Sequence, residues 1–222
     1  MSKVHEYEGS AIRITYDARR CIHAAECVRG LPEVFDTDRR PWIDADGAEA
    51  DEVSEVIRRC PTGALQYERI DGGAQESPAA EAEIRVTADG PLFVSGDVVV
   101  LDAGTRVLTR ETRAAFCRCG ASANQPWCDG SHTEAGFRAT ADIGEGRPKP
   151  CEQDDPTPLS IRLRTNGPLV LVGPFRIGPA VPEGHVRGGG CALCRCGASG
   201  NKPWCDGSHK VIGFESDDPV AG

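Results

Sequence analysis

Three cysteines and one histidine recur twice in this chain with the spacing C-x-C-x8-C-x3-H. The donors are Cys117, Cys119, Cys128 and His132 in the first copy, and Cys194, Cys196, Cys205 and His209 in the second. Thiolates and imidazoles are soft ligands that proteins use to hold transition metals. Each copy places four of them within sixteen residues. The pattern therefore predicts two metal centres.

The two copies belong to one larger duplicated module. Their sixteen-residue segments differ only at Ala123/Gly200 and Gln125/Lys202. The shift from Cys117 to Cys194 is 77 residues, and the same shift aligns residues 84–85 and 90–92 with 161–162 and 167–169 without a gap. A gap-free repeat of this length predicts the duplication of a whole domain rather than a chance recurrence.

Both segments resemble the CDGSH (NEET-type) iron–sulfur family. The family motif C-x-C-x2-(S/T)-x3-P-x-C-D-G-(S/T/A)-H is met at every position, with Ser122 and Pro126 in the first copy and Ser199 and Pro203 in the second. The resemblance covers roughly residues 80–217. It implies one [2Fe-2S] cluster per motif, with the inner iron on the C-x-C pair and the outer iron on the third cysteine and the histidine.

The spacing agrees with the resemblance, while structural zinc remains the alternative. Cys117 and Cys119 are closer in sequence than the C-x2–4-C pairs of zinc fingers. A neutral imidazole in place of a thiolate makes a cluster less negative, which should raise its reduction potential. Its protonation near neutral pH should make the outer iron bond acid-labile. Asp129 and Ser131 predict a helix that begins at the motif.

A different cysteine pattern lies near the N-terminus. Small bacterial ferredoxins use C-x2-C-x2-C with a remote Cys-Pro, and here Ala24 occupies the middle position between Cys21 and Cys27, with Cys60 before Pro61. The runs at 21–35, 41–43 and 60–65 resemble the divergent single-cluster ferredoxin family. The resemblance implies a [3Fe-4S] or [4Fe-4S] cluster on Cys21, Cys27 and Cys60. A fourth ligand would come from His23, a carboxylate or solvent, and three ordinary buried cysteines are the alternative.

The predicted fold class is α+β. Alternating apolar residues predict strands at Ile12/Ile14 and Leu65/Tyr67, and an apolar face predicts a helix over 52–59. We expect a small ferredoxin-like domain over residues 1–71, a linker over 71–82, and two β-rich CDGSH units over 83–140 and 160–217. Single-motif members of the family form two-fold dimers, so the resemblance implies an intrachain pseudo-two-fold pair and a monomeric chain.

Composition limits the partners and the compartment. The net charge is −9 with no basic block, which argues against nucleic acid as a partner. The longest aliphatic run, 98–101, is too short to cross a membrane, and no signal segment is apparent. Free thiols beside metal ligands suit a reducing cytoplasm. Cys151, in an acidic linker, is expected to be exposed, and the role of Cys191 stays open.

No residue pattern marks a substrate site. The chain lacks a nucleotide loop, a flavin fingerprint, a catalytic triad and a paired-acid constellation. We therefore predict a multi-cluster protein for electron transfer, cluster transfer or redox sensing, with a redox partner protein or an apo iron–sulfur acceptor as its partner. The alternatives are an iron–sulfur subunit of a redox enzyme and a structural zinc-binding protein.

Overall fold

The structure, a computed structural model, describes residues 4–146, 148–151, 157–181 and 184–220. The chain forms two compact parts, the N-terminal unit (Met1–Ser77) and the C-terminal unit (Pro78–Gly222). The division between them falls inside the linker predicted over 71–82. Most of the regular structure is β-strand, with few and short helices.

An antiparallel three-stranded sheet and two helices build the N-terminal unit. The strands β1 (Val4–Glu8), β2 (Ile12–Asp17) and β3 (Leu65–Arg69) lie in the order β1-β2-β3. The helices α1 (Glu26–Gly30) and α2 (Ala50–Arg58) lie between β2 and β3 in the chain. Strands β2 and β3 and helix α2 were predicted from the sequence, whereas β1 and α1 were not.

Helix α2 positions the third N-terminal cysteine. Its apolar face, with Val53, Val56 and Ile57, is buried in the core of this unit. Acidic residues occupy its first turn and Arg58 its last, as the helix dipole favours. Beyond the helix end, the Cys60 amide donates to the Ile57 carbonyl at 2.9 Å. The end of α2 therefore fixes Cys60.

Six strands form one sheet in the described part of the C-terminal unit. The first repeat (residues 83–140) is built on β4 (Ala82–Val86), β5 (Leu92–Leu101) and β6 (Val107–Phe116). The second repeat (residues 160–217) is built on β7 (Leu159–Leu163), β8 (Leu169–Gly178) and β9 (Val186–Leu193). Within each repeat consecutive strands are antiparallel, and their inward-facing apolar residues share one core.

The two repeats also exchange strand pairings. Strand β4 runs parallel to β8 with Ala82 opposite Phe175, and β5 runs parallel to β7 with Val98 opposite Leu159. A shift of 77 residues turns the first pairing into the second, because it carries Ala82 to Leu159 and Val98 to Phe175. Each repeat therefore supplies strands that complete the sheet of the other.

The helix predicted at the motif is wrong for the first repeat. Residues 131–136 form turns, and the second repeat has only the four-residue helix α3 (Ser208–Val211). The Asp129 carboxylate instead accepts hydrogen bonds from the amide and hydroxyl of Ser131, which closes a local turn. Among the described residues, no helix has the length and apolar character needed to cross a membrane.

Candidate metal centres

The four predicted donors of the first repeat lie as two close pairs. Cys117 directly follows β6, and its Sγ lies 3.6 Å from that of Cys119. Cys128 Sγ lies 3.5 Å from His132 Nδ1. Cys117 and Cys128 are buried, while Cys119 and His132 are half-buried. The pairing joins the residues that the family resemblance assigns to the inner and the outer iron.

These distances fit two ligands on one tetrahedral metal atom. With metal–sulfur bonds of about 2.3 Å and metal–nitrogen bonds of about 2.0–2.1 Å, tetrahedral angles separate two sulfurs by about 3.8 Å and sulfur from nitrogen by about 3.5 Å. The second repeat has the same geometry: 3.6 Å between Cys194 and Cys196, and 3.4 Å between Cys205 and His209. Across the described residues, no three His, Cys, Asp or Glu side chains converge on a single ion position. A donor set arranged in pairs suits a centre with two metal atoms.

Backbone amides point at the sulfur atoms. The amides of Gly120, Ala121 and Gly130 donate to the sulfurs of Cys117, Cys119 and Cys128 at 3.3, 3.4 and 3.5 Å. Such bonds stabilise the thiolate form that a metal requires. The hydrogen bond from the Cys117 thiol lowers the pKa of Cys119 to about 7, and the same bond raises the pKa of Cys117. In the first repeat this shift favours the Cys119 thiolate, the form that binds metal.

Burial shifts the pKa in the opposite direction at the third cysteine of each motif. It raises the pKa of Cys128 to about 11 and also raises that of Cys205. Burial is also the main cause that lowers the pKa of His132, which keeps its imidazole neutral. A neutral imidazole is the form that binds metal.

The serine and aspartate of the motif hold the loop rather than the metal. Ser122 Oγ donates to the Trp127 carbonyl at 2.7 Å and accepts from the Asn124 amide at 3.1 Å. The second carboxylate oxygen of Asp129 accepts from the Ala123 amide at 2.9 Å. Ser199 and Asp206 make the same bonds in the second repeat. These bonds fold the segment between the second and third cysteines, which brings the two donor pairs together.

The two motifs touch each other at their second cysteines. Cys119 and Cys196, which are equivalent residues, form an antiparallel bridge. A Cβ atom at Gly120 would lie 2.7 Å from the Cys196 carbonyl oxygen, and one at Gly197 would collide with the carbonyl of Cys119. Both glycines have φ near +80°, a region that side chains disfavour. Glycine is therefore required at both positions by the backbone contact between the repeats.

Sequence reasoning missed two buried arginines. Arg118 and Arg195 stand between the cysteines of the two C-x-C pairs, and each is only 1% exposed. Their guanidinium carbons lie 5.3 and 5.8 Å from the ring centres of Phe137 and Phe214, at cation–π distance. The sequence did contain a signal for them, because both copies share the C-R-C segment and a Gly-Phe pair farther along, at 136–137 and 213–214.

The three predicted N-terminal donors line one small cavity. Cys21 follows β2, Cys27 lies in α1 and Cys60 follows α2, and all three contribute to its wall. Ala24, at the position of the missing fourth cysteine, also faces the cavity, as does Glu26. His23 is exposed and lines a neighbouring groove instead.

The loop between Cys21 and Cys27 carries backbone strain. His23 and Ala25 have φ values of 57° and 63°, in the left-handed region that residues with a side chain rarely adopt. Such strain is common where a loop wraps a bound group. Tyr16, which was not predicted, lines the cavity together with Cys21. Burial, together with its interaction with Cys21, raises the pKa of the Tyr16 phenol.

The two remaining cysteines lie outside the three donor sets. None of the eleven cysteines, all of which lie among the described residues, forms a disulfide bond. Cys151 was expected to be exposed but is half-buried, since its Cβ packs close to Gly189 of β9. Burial raises the pKa of Cys191 to about 12, so its thiol stays protonated at neutral pH. A protonated thiol is a poor nucleophile and a poor metal ligand.

Comparison with known proteins finds one family over the N-terminal unit and another family twice over the C-terminal unit. Residues 7–69 match the family described as "Divergent 4Fe-4S mono-cluster". Residues 89–133 and 166–210 each match the family described as "Iron-binding zinc finger CDGSH type". The "Uncharacterized protein YjdI" of Escherichia coli K12 and that of strain O157:H7 are each 39% identical over 61 residues, which is 28% of this chain and 80% of theirs. No solved structure matches.

These matches place the protein among iron–sulfur proteins. The chain belongs to the divergent 4Fe-4S mono-cluster family through its N-terminal unit, and it carries two tandem domains of the CDGSH family in its C-terminal unit.

Proposed function

We propose that the protein is a one-electron carrier with three iron–sulfur clusters. Each CDGSH domain would hold one [2Fe-2S] cluster on its two donor pairs, and Cys21, Cys27 and Cys60 would hold one [3Fe-4S] or [4Fe-4S] cluster. When bound, such clusters exchange single electrons without making or breaking bonds to a substrate. The observation that carries the proposal is the spacing of the donors, 3.4–3.6 Å within each of the four pairs.

The protein side chains would bind the clusters, exclude water and set their charge environment. Buried Cys117 and Cys194 would anchor the inner side of each centre, while the half-buried histidines would lie nearer the surface. We therefore expect a redox partner protein to contact the surface near His132 and His209. In the N-terminal unit, the Tyr16 hydroxyl would donate to the Cys21 thiolate, which stabilises the more negative, reduced state.

The reciprocal strand pairings support an internal pseudo-two-fold pair. The equivalence of the β4–β8 and β5–β7 registers and the bridge between Cys119 and Cys196 relate the repeats as two copies related by a two-fold axis would be. On this proposal the domains are residues 1–71, 83–140 and 160–217, the N-terminal domain is ferredoxin-like, and the chain is a monomer.

Cluster transfer is a second candidate function. It is favoured by the position of His132 and His209, which are half-buried, because an imidazole leaves its metal when the coordinating nitrogen takes a proton. Loss of that single bond would loosen the outer iron and permit transfer to an apo iron–sulfur acceptor.

Metal analysis and spectroscopy test the proposal. Protein purified without oxygen should contain iron and sulfide, absorb visible light and give an EPR signal of [2Fe-2S] on reduction. Stoichiometric zinc without visible absorption would contradict it. The reduced protein is then mixed with an oxidised partner or with an apo-ferredoxin. Reoxidation with full retention of iron supports electron transfer, whereas movement of iron and sulfide to the acceptor supports cluster transfer.

A further inference from the structure

The two buried arginines of the C-terminal unit occupy equivalent positions but have different charge partners. Arg118 donates to the carbonyl oxygens of Gly90, Thr140 and Thr87 at 3.0, 3.1 and 2.5 Å. These acceptors are neutral. Asp89 interacts with Arg118 only through space and pairs with Arg138 at 3.6 Å. Within the part of the chain that the structure describes, no carboxylate forms an ion pair with Arg118.

Arg195 has the same backbone contacts and one additional partner. It donates to the carbonyls of Gly167 and Arg164, the equivalents of Gly90 and Thr87, at 2.7 and 2.8 Å. Its Nη1 and Nη2 atoms also form a two-point ion pair with the Asp218 carboxylate, the Nη2 contact being 2.7 Å, and the Asp218 side chain is only 13% exposed. The residue equivalent to Asp218 in the first repeat is Ala141.

We propose that this difference in ion pairing gives the two CDGSH centres unequal reduction potentials, with the centre of the first repeat reduced first. The inference rests on the [2Fe-2S] ligation proposed above. One electron from an external one-electron donor would convert one Fe(III) of a bound cluster to Fe(II). The reduced centre is therefore more negative by one charge. A buried cation stabilises that state, and a carboxylate bound to the cation cancels much of the effect.

The position of Arg118 allows its charge to act on the centre of the first repeat. The residue lies in the chain between Cys117 and Cys119, two proposed donors of that centre. The charge also interacts with Cys194 of the second repeat. We expect the larger effect in the first repeat because Cys117 and Cys119 are the chain neighbours of Arg118.

Other charge differences between the repeats are more exposed. Lys202 and Lys210 occur only in the second repeat and oppose the effect, but Lys210 is exposed to screening by salt. The Lys202 ammonium donates to the Ser199 carbonyl. Arg138 of the first repeat has Glu215 as its equivalent, which acts in the same direction as Asp218. The fully buried arginines should therefore decide the order.

A reciprocal exchange of residues tests the proposal. The holoprotein, Ala141→Asp, Asp218→Ala and the double exchange are titrated potentiometrically, with EPR detection of the reduced [2Fe-2S] centres. In the unmodified protein the two centres should differ at least tenfold in electron affinity, which is about 59 mV for one electron. Ala141→Asp should lower the upper midpoint, Asp218→Ala should raise the lower one, and the double exchange should reverse their order. A titration of His132→Cys identifies the first-repeat signal.

Several outcomes would overturn the proposal. Coincident midpoints in the unmodified protein, or midpoints unmoved by both single exchanges, would remove it while leaving the ligation intact. A larger shift from Lys202→Gln than from Asp218→Ala would assign the difference to other cations. Asp218→Asn, which keeps the side-chain shape, supplies the same test if Asp218→Ala loses iron. If no reduced [2Fe-2S] signal forms at all, the proposed function fails together with this inference.

Discussion

A methyl group added at the contact between the two repeats should destabilise the protein strongly. Gly120 and Gly197 have φ values of +81° and +80°, and a Cβ at either would meet the backbone of the opposite cysteine, 2.7 Å from Cys196 O in the case of Gly120. Alanine in a left-handed conformation costs about 1–2 kcal/mol. Displacing closely packed groups adds about 1–3 kcal/mol. Gly120→Ala and Gly197→Ala should therefore each cost about 2–5 kcal/mol.

Two other glycines of the same unit serve as controls, because they share the positive φ but not the contact between the repeats. Gly136 and Gly213 have φ values of +60° and +63°, and a Cβ at either would meet nothing within 4 Å. Their alanine variants should lose only the conformational part, about 1–2 kcal/mol. For a chain of this size each kcal/mol corresponds to about 2–4 °C in the unfolding midpoint.

The measurement is thermal unfolding of the anaerobically prepared protein, followed by circular dichroism and by loss of visible absorbance. The two contact variants should show about twice the midpoint shift of the two control variants. Equal shifts in all four would show that the backbones at Cys119 and Cys196 are not in contact in solution, and the reciprocal pairing would lose its support.

Three further predictions concern the proposed centres. We expect [2Fe-2S] absorbance to be lost in acid, below about pH 6.5, and the variants His132→Cys and His209→Cys should slow that loss. Because burial lowers the pKa of His132, protons should displace that imidazole only at a lower pH than usual. An unchanged decay rate in the double variant across pH 5–8 would contradict this. Cys60→Ser should remove the third cluster, measured as lost iron and lost EPR signal, whereas Cys151→Ser should retain full iron content. Tyr16→Phe removes the phenol hydroxyl that we propose donates to Cys21, and it should lower the midpoint potential of the N-terminal centre alone. An unchanged potential would contradict this proposal.

The donor sets could be predicted from the sequence because ligand spacing is a local property. Sixteen residues contain both pairs of each CDGSH motif, and the structure brings Cys117 beside Cys119 and Cys128 beside His132 as that spacing implies. The N-terminal cysteines are farther apart in sequence, yet Cys60 could still be placed, since an amphipathic helix with charged ends leads directly to it.

The pairing between the repeats could not be predicted from local patterns. Strands β6 and β9 contain charged residues and three consecutive glycines, so the alternation that identifies β4 and β5 is weak in them. The parallel contacts β4–β8 and β5–β7 join residues that are distant along the chain. The burial of Arg118 also has no local signal, because its partners are carbonyl groups of turns distant in sequence.

The exchanged strand pairings impose an order on the biosynthesis of this protein. All four donors of the first repeat have been translated by His132, but strand β8, which pairs with β4, is complete only at Gly178. Until then the ribosome carries a first repeat with open sheet edges and without the backbone of Cys196 against Gly120. Stable metal loading of the first repeat should therefore wait for translation of the second. A chain that stops between the repeats would present open edges to other copies and should aggregate rather than mature.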